Sequence, residues 1–231
     1  MGDYNRNTMK KVPAIDWKWV KEELFRQERI RGSKEISAHA GECLDKAKAL
    51  ARPRVISLER KIISLSPGSF TIDGPITFKS PRVSSHIAGA VRLYIFLATI
   101  GPDLERQAGA WMSGGEELRG YMLDRTGSIA VESLAEDTER ALRSGRAGQG
   151  ESVSMRFSPG YCDWPLEEQR TMDTALDFSK AGVSLTGAYM MVPRKSVSAV
   201  MAIGPGGLFK EDLSPCAVCG KGDCDYRRGL T

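Results

Sequence analysis

The sequence predicts an α+β fold, and three observations carry that prediction. Strand-like and helix-like segments are mixed without the regular βαβ alternation of a parallel sheet. The apolar run Leu93-Tyr-Ile-Phe-Leu-Ala-Thr-Ile100 has the length of a strand and stops at Gly101-Pro102, as a central strand covered on both faces would. With 41% hydrophobic and 27% charged residues, a chain of 231 can bury a substantial core within one large domain.

Taken in order, Asp16 reads as an N-cap, with Ile15 and Val20 as a hydrophobic staple and Trp17, Val20 and Leu24 along one face of the first helix. A second helix from Ser33 to Leu50 places Ile36, Ala40, Cys43, Ala47 and Leu50 on its buried side and ends at Arg52-Pro53. From Val55 to Phe78 the pattern turns to strands, with turns at Pro67-Gly68 and Asp73-Gly74-Pro75 around Phe70-Thr-Ile72. Helices follow the central strand over Asp103–Met112 and Glu116–Arg143, Leu134 and Leu142 lining one side of the latter. A loop spans Gly145–Gly150. A strand over Val153–Phe157 leads into a Pro159-Gly160-Tyr161 turn, then come a helix over Leu166–Ala181 and strands over Val183–Thr186 and Ser196–Ile203. Met190 and Met191 read as core. Beyond Gly204-Pro-Gly-Gly207 the pattern becomes irregular and rich in cysteine. The expected division is therefore a main unit over 1–204 and a tail over 205–231.

The net charge of +4 is spread evenly among interleaved acidic residues, which speaks against nucleic-acid and membrane-surface partners. The apolar run is too short to cross a bilayer, and Met1–Lys11 lacks the apolar segment of a secretion signal. A cytoplasmic location is the expectation, and in a reducing compartment clustered thiols point to metal or redox chemistry.

Two segments carry chemistry. Arg156-Phe-Ser-Pro-Gly160-Tyr161 puts a cation, a permissive backbone and an aromatic hydroxyl within six residues. An arginine offers a planar fork to a carboxylate, a glycine lets a ligand approach the chain closely, and a tyrosine offers an apolar face with one hydroxyl. The second segment, Cys216-Ala-Val-Cys219-Gly-Lys-Gly-Asp-Cys224, gathers three of the five cysteines in nine residues. Its tight first pair and glycine-rich loop suit convergence on one metal, an iron–sulfur cluster or a zinc ion, with Cys162 as a candidate fourth ligand; a metal-free thiol tail stays open. Cys43 reads as a buried helix residue.

The order of motifs around RFSPGY adds to this. Trp164-Pro165, an acidic patch, a helix and then Leu185-Thr186-x4-Met191-x-Pro193-x2-Ser196-Val197-Ser198 follow it. This order resembles the S-adenosylmethionine-binding activation domain of cobalamin-dependent methionine synthase, where RxAPGY and LTESxAMxPxxSVSG recur together. Ile15-Asp16-Trp17 is similar to an IDW near that domain's start, and Ser133-Leu-Ala-Glu136 lies at the matching distance before RFSPGY. The resemblance implies one domain with a central, mainly antiparallel twisted sheet flanked by helices. It also implies roles: Arg156 for the carboxylate of S-adenosylmethionine, Asp16 and Glu136 for its ammonium and sulfonium, Gly160 beside it, and Tyr161 as the catalytic residue where ligand and corrin meet. Asp16 as a plain cap and Glu136 as a solvated carboxylate remain open readings of the same residues. The implied partners are a cobalamin-carrying methionine synthase or corrinoid protein and an electron donor such as flavodoxin or ferredoxin.

No Asp-x-His-x2-Gly cobalamin motif occurs around His39 or His86, so the cobalamin is expected on the partner, and the chain is not expected to make methionine alone. The glycine-rich loop of common adenosylmethionine methyltransferases is missing too, since Gly204-Pro-Gly-Gly207 opens no helix. The competing expectation is an iron–sulfur or zinc electron-transfer protein with a vestigial ligand pocket.

Overall fold

In the computed structural model, residues 13–30 and 34–210 are described. The apolar run forms β4 (Arg92–Thr99), whose alternate side chains enter different cores. Tyr94, Phe96 and Ala98 face one core, and Leu93, Ile95 and Leu97 face the other. On one side β4 pairs with β8 (Ser196–Pro205), from Arg92↔Ile203 to Thr99↔Ser196. On the other it pairs with β1 (Arg54–Ser66), from Arg54↔Thr99 to Lys61↔Arg92. With β2 (Ser69–Ile72), β3 (Ile76–Lys79) and β5 (Glu151–Val153), these strands make a six-stranded sheet in the order β3-β2-β1-β4-β8-β5. Every pairing in it is antiparallel. A two-stranded ribbon, β6 (Ser184–Leu185) and β7 (Met191–Val192), stands apart.

The first core lies between the sheet and four helices: α1 (Trp17–Gln27), α2 (Lys34–Leu50), α4 (Asp103–Ser113) and α5 (Glu117–Ala147). The second gathers Phe70, Phe78, Trp164, Met172 and Phe178 under a short α3 (Pro81–His86) and α6 (Gln169–Leu176). The fold is α+β, as predicted. Among the described residues no helix is long and apolar enough to cross a membrane.

Three elements differ from expectation, each for a local reason. The expected strand over Val153–Phe157 stops at Val153, and the chain meets β8 again in a bridge between Phe157 and Val200. Arg143 of α5 draws the carbonyls of Val153 (2.5 Å) and Ser154 (2.8 Å) toward the helix. The Ser154 hydroxyl, not a carbonyl, meets the Ala202 N–H at 2.8 Å. The expected helix over Leu166–Ala181 is broken at Asp177, which adopts φ 57°, while the Asp173 carboxylate takes the Phe178 N–H at 2.8 Å. Met190, expected in the core, is half exposed at the ribbon turn, and only Met191 packs against the second core. The helix α3, unforeseen, is capped by Ser80 with Pro81 opening its first turn.

Candidate functional site

The kink at Ser154 decides where the following residues point. Met155 and Phe157 drop into the second core, so Arg156 between them turns the opposite way, onto α5. Its Nη2 donates to Glu132 Oε2 at 2.8 Å, with the side chain only 15% exposed. Burial alone would lower the Arg156 pKa; Glu132, with Glu139 and Glu136 behind it, overrides that and holds it above the ordinary value. The buried Nη1 of the same guanidinium has no hydrogen-bond partner among the described residues. An unmet buried donor on a cation is costly unless something accepts from it.

The start of the chain reaches the same turns of α5. The Ala14 N–H donates to Asp137 Oδ2 at 3.0 Å, and the Asp16 N–H donates to Ser133 Oγ at 2.9 Å. Asp16 also caps α1, its Oδ1 accepting from the Lys18 and Trp19 N–H groups at 3.0 Å each, so the cap reading is correct. At 3.6 residues per turn Glu136 lies about 40° round the helix from Glu132 and on the side of Ser133. Glu136 is half-buried there, between the residue that anchors Arg156 and the residue that anchors Asp16. The structure thus brings Asp16, Glu136 and Arg156, far apart in sequence, around two turns of one helix.

Tyr161 stands on a different support. Gly160 adopts φ +90°, open to glycine, and its N–H donates to the Trp164 carbonyl at 2.8 Å. The Trp164 N–H returns to the Tyr161 carbonyl at 3.0 Å, closing a tight loop. Trp164 is buried edge-on to Phe70 and Phe78, and Asp163 accepts from Ser80 Oγ (3.1 Å) and the Arg82 N–H (3.0 Å). On this pinned base Tyr161 is 60% exposed, next to the exposed Cys162. An outward-facing aromatic ring held by a rigid loop suits contact with a large flat group.

Sequence reasoning missed Glu132 and Arg143. The signal was present in the spacing of Glu132, Glu136 and Glu139, which share one face of a helix. Ser196 and Ser198 are buried hydrogen-bonding residues, Ser198 donating to Gln169 Oε1 at 2.7 Å. Cys216, Cys219 and Cys224 lie outside the described residues, and so does most of the expected tail over 205–231. Among the described residues no group of three or more metal-ligating side chains comes together.

Residues 90–208 match the family model described as vitamin B12 dependent methionine synthase, activation domain. The fold is similar to a solved structure described as the MetH reactivation domain bound to AdoHcy. That similarity has a TM-score of 0.60 at 19% identity, covering 83% of this chain and 74% of that chain. No curated protein matches the chain in sequence.

Proposed function

Because the chain belongs to the vitamin B12-dependent methionine synthase activation-domain family, we propose that it binds S-adenosylmethionine and supports reductive methylation of a cobalamin carried by a separate methionine synthase or corrinoid protein. The observation that carries the reading is the buried, unpartnered Nη1 of Arg156, flanked by Glu136 and within the same helical turns as Asp16. A zwitterionic amino-acid end fits such a place: its carboxylate accepts from Arg156, and its ammonium faces the carboxylates of Asp16 and Glu136. The sulfonium adds a second positive charge that the same carboxylates favour. Gly160, at φ +90° and packed against Leu166, holds the turn from which Tyr161 would present its ring to the incoming corrin.

The methyl acceptor would be a cobalamin held by the partner and reduced by a one-electron donor such as flavodoxin or ferredoxin. The methyl carbon then leaves sulfur, the bonding pair stays on the resulting thioether, and no proton has to move. The protein's contribution is therefore orientation: a fixed carboxylate grip at one end and a rigid aromatic platform at the other. A cytoplasmic setting accords with this chemistry, and Cys216, Cys219 and Cys224 in the 205–231 tail would hold a metal centre.

One experiment separates the two ends. Calorimetric titration with S-adenosylmethionine should show binding by the wild type and a roughly ten- to hundredfold loss in Arg156→Ala, the cost of a charge-assisted contact. Tyr161→Ala should bind within severalfold of wild type yet slow methylation of cob(II)alamin on a corrinoid partner. Equal affinity in Arg156→Ala, or a wild-type methylation rate in Tyr161→Ala, sinks the corresponding role.

A further inference from the structure

We propose that Glu132 is a positioning residue for the ligand grip: it fixes the direction of the Arg156 guanidinium so that the buried Nη1 faces the ligand. The inference rests on the reading of the site given above. Three carboxylates act on Arg156, in the order Glu132, Glu139 and Glu136, and all three lie on one face of α5. Glu139 is already engaged by Arg143, whose Nε and Nη2 donate to its Oε1 at 3.1 and 2.8 Å. The other contacts of Arg143, to the Val153 and Ser154 carbonyls, fix that pair against the kinked segment. Glu132 takes Arg156 Nη2 at 2.8 Å, and a planar fork anchored at one branch has its other branch aimed as well.

Besides Glu132, the carboxylates that act on Arg156 are Glu139, which Arg143 engages, and Glu136, one turn along from Glu132. A guanidinium that swung to Glu136 would withdraw Nη1 from the ligand's carboxylate. It would also neutralise the side chain assigned to the ligand's ammonium. One substitution outside the ligand's own contacts would thus disable two of them. A shorter or neutral side chain separates direction from charge: glutamine keeps an acceptor at the same reach, whereas aspartate keeps the charge and retracts it by one methylene.

The test is titration of S-adenosylmethionine into wild type, Glu132→Ala, Glu132→Gln, Glu132→Asp, Arg156→Ala and the Glu132→Ala/Arg156→Ala double variant, with melting temperatures alongside. Glu132→Ala and Glu132→Asp should each bind about tenfold more weakly, and Glu132→Gln should stay within about threefold of wild type. In the Arg156→Ala background, Glu132→Ala should cost nothing further, because its effect runs through the arginine. If Glu132→Ala proves unstable, the Asp and Gln pair carries the same contrast. Wild-type affinity in Glu132→Asp, equal weakening by Gln and Asp, or an undiminished loss in the double variant would overturn the proposal. Failure of the underlying reading looks different: the wild type itself then shows no binding, or Arg156→Ala binds as the wild type does.

Discussion

Two buried acids, the Cys43 thiol and the Tyr94 phenol, keep their protons longer in the folded protein than they would in water. Burial pushes Cys43 from 9.0 up to about 11 and Tyr94 from 10.0 up to about 12, the Tyr94 shift being tempered by a hydrogen bond with Ser57. The sign follows from linkage: between the unfolded and folded values the unfolded chain has lost the proton and the native one has not, so stability falls as pH rises. The decline should begin near pH 9 with Cys43 and be joined near pH 10 by Tyr94, each reaching about 3 kcal/mol at most. Lys195, lowered by burial beside Asp124, pulls the other way just below its ordinary 10.5, so variants are a better measure than the raw curve. Urea unfolding at pH 8 and pH 10.5 should show a smaller loss between the two for Cys43→Ala and for Tyr94→Phe than for wild type. An unchanged loss in both would refute the assignment. Arg156 belongs at this scale too, since its cation never titrates in the working range and the grip on a carboxylate should be insensitive to pH.

At the scale of elements, α5 is the member on which the others converge, and its glycines let them come close. A Cβ at Gly120 would stand 2.7 Å from the Ala108 carbonyl oxygen and 2.9 Å from the Met112 nitrogen, both backbone atoms of α4 that cannot step aside. Gly120→Ala should therefore destabilise by about 1–3 kcal/mol despite alanine's better helix propensity. Gly109 on α4 has nothing within 4 Å of the same position, so Gly109→Ala should stabilise by up to about 1 kcal/mol. Opposite signs in chemical denaturation support the close approach; a neutral Gly120→Ala would mean that the two helices separate at little cost.

The same helix shows what was legible in the sequence. Its apolar face, the β4 run and the Asp16 cap follow local rules of period and capping, and they stand within a few residues of expectation. The kink at Ser154 could not be read, because it depends on Arg143 reaching across from α5 to claim two carbonyls. Nor could the direction of Arg156: a continuous strand would have aimed it past the sheet edge, whereas the kinked segment turns it onto Glu132. The break at Asp177 likewise hides in a composition that suits a continuous helix. Residue types at the candidate site were visible; the partners that orient them were long-range.

At the scale of the molecule, the proposed metal centre belongs to the tail. Cys216, Cys219 and Cys224 should bind one metal centre per chain, preferably an iron–sulfur cluster, since the proposed task consumes a low-potential electron; Lys221 and Arg227 would favour the thiolate forms for either metal. Metal and sulfide analysis of anaerobically prepared protein checks this. Iron with sulfide supports a cluster, one zinc per chain would make the site structural, and neither metal would remove the centre altogether. A different consequence follows from the bonds that join Ala14 and Asp16 to Asp137 and Ser133 across more than a hundred residues. The matched segment 90–208 contains Glu136, Arg156 and Tyr161 but not the N-terminal stretch that brings Asp16 alongside them. The proposed ligand seat is thus finished only when the N-terminal stretch has met the middle of α5. A grip on that ligand would in this way report that a contact between segments distant in sequence has formed.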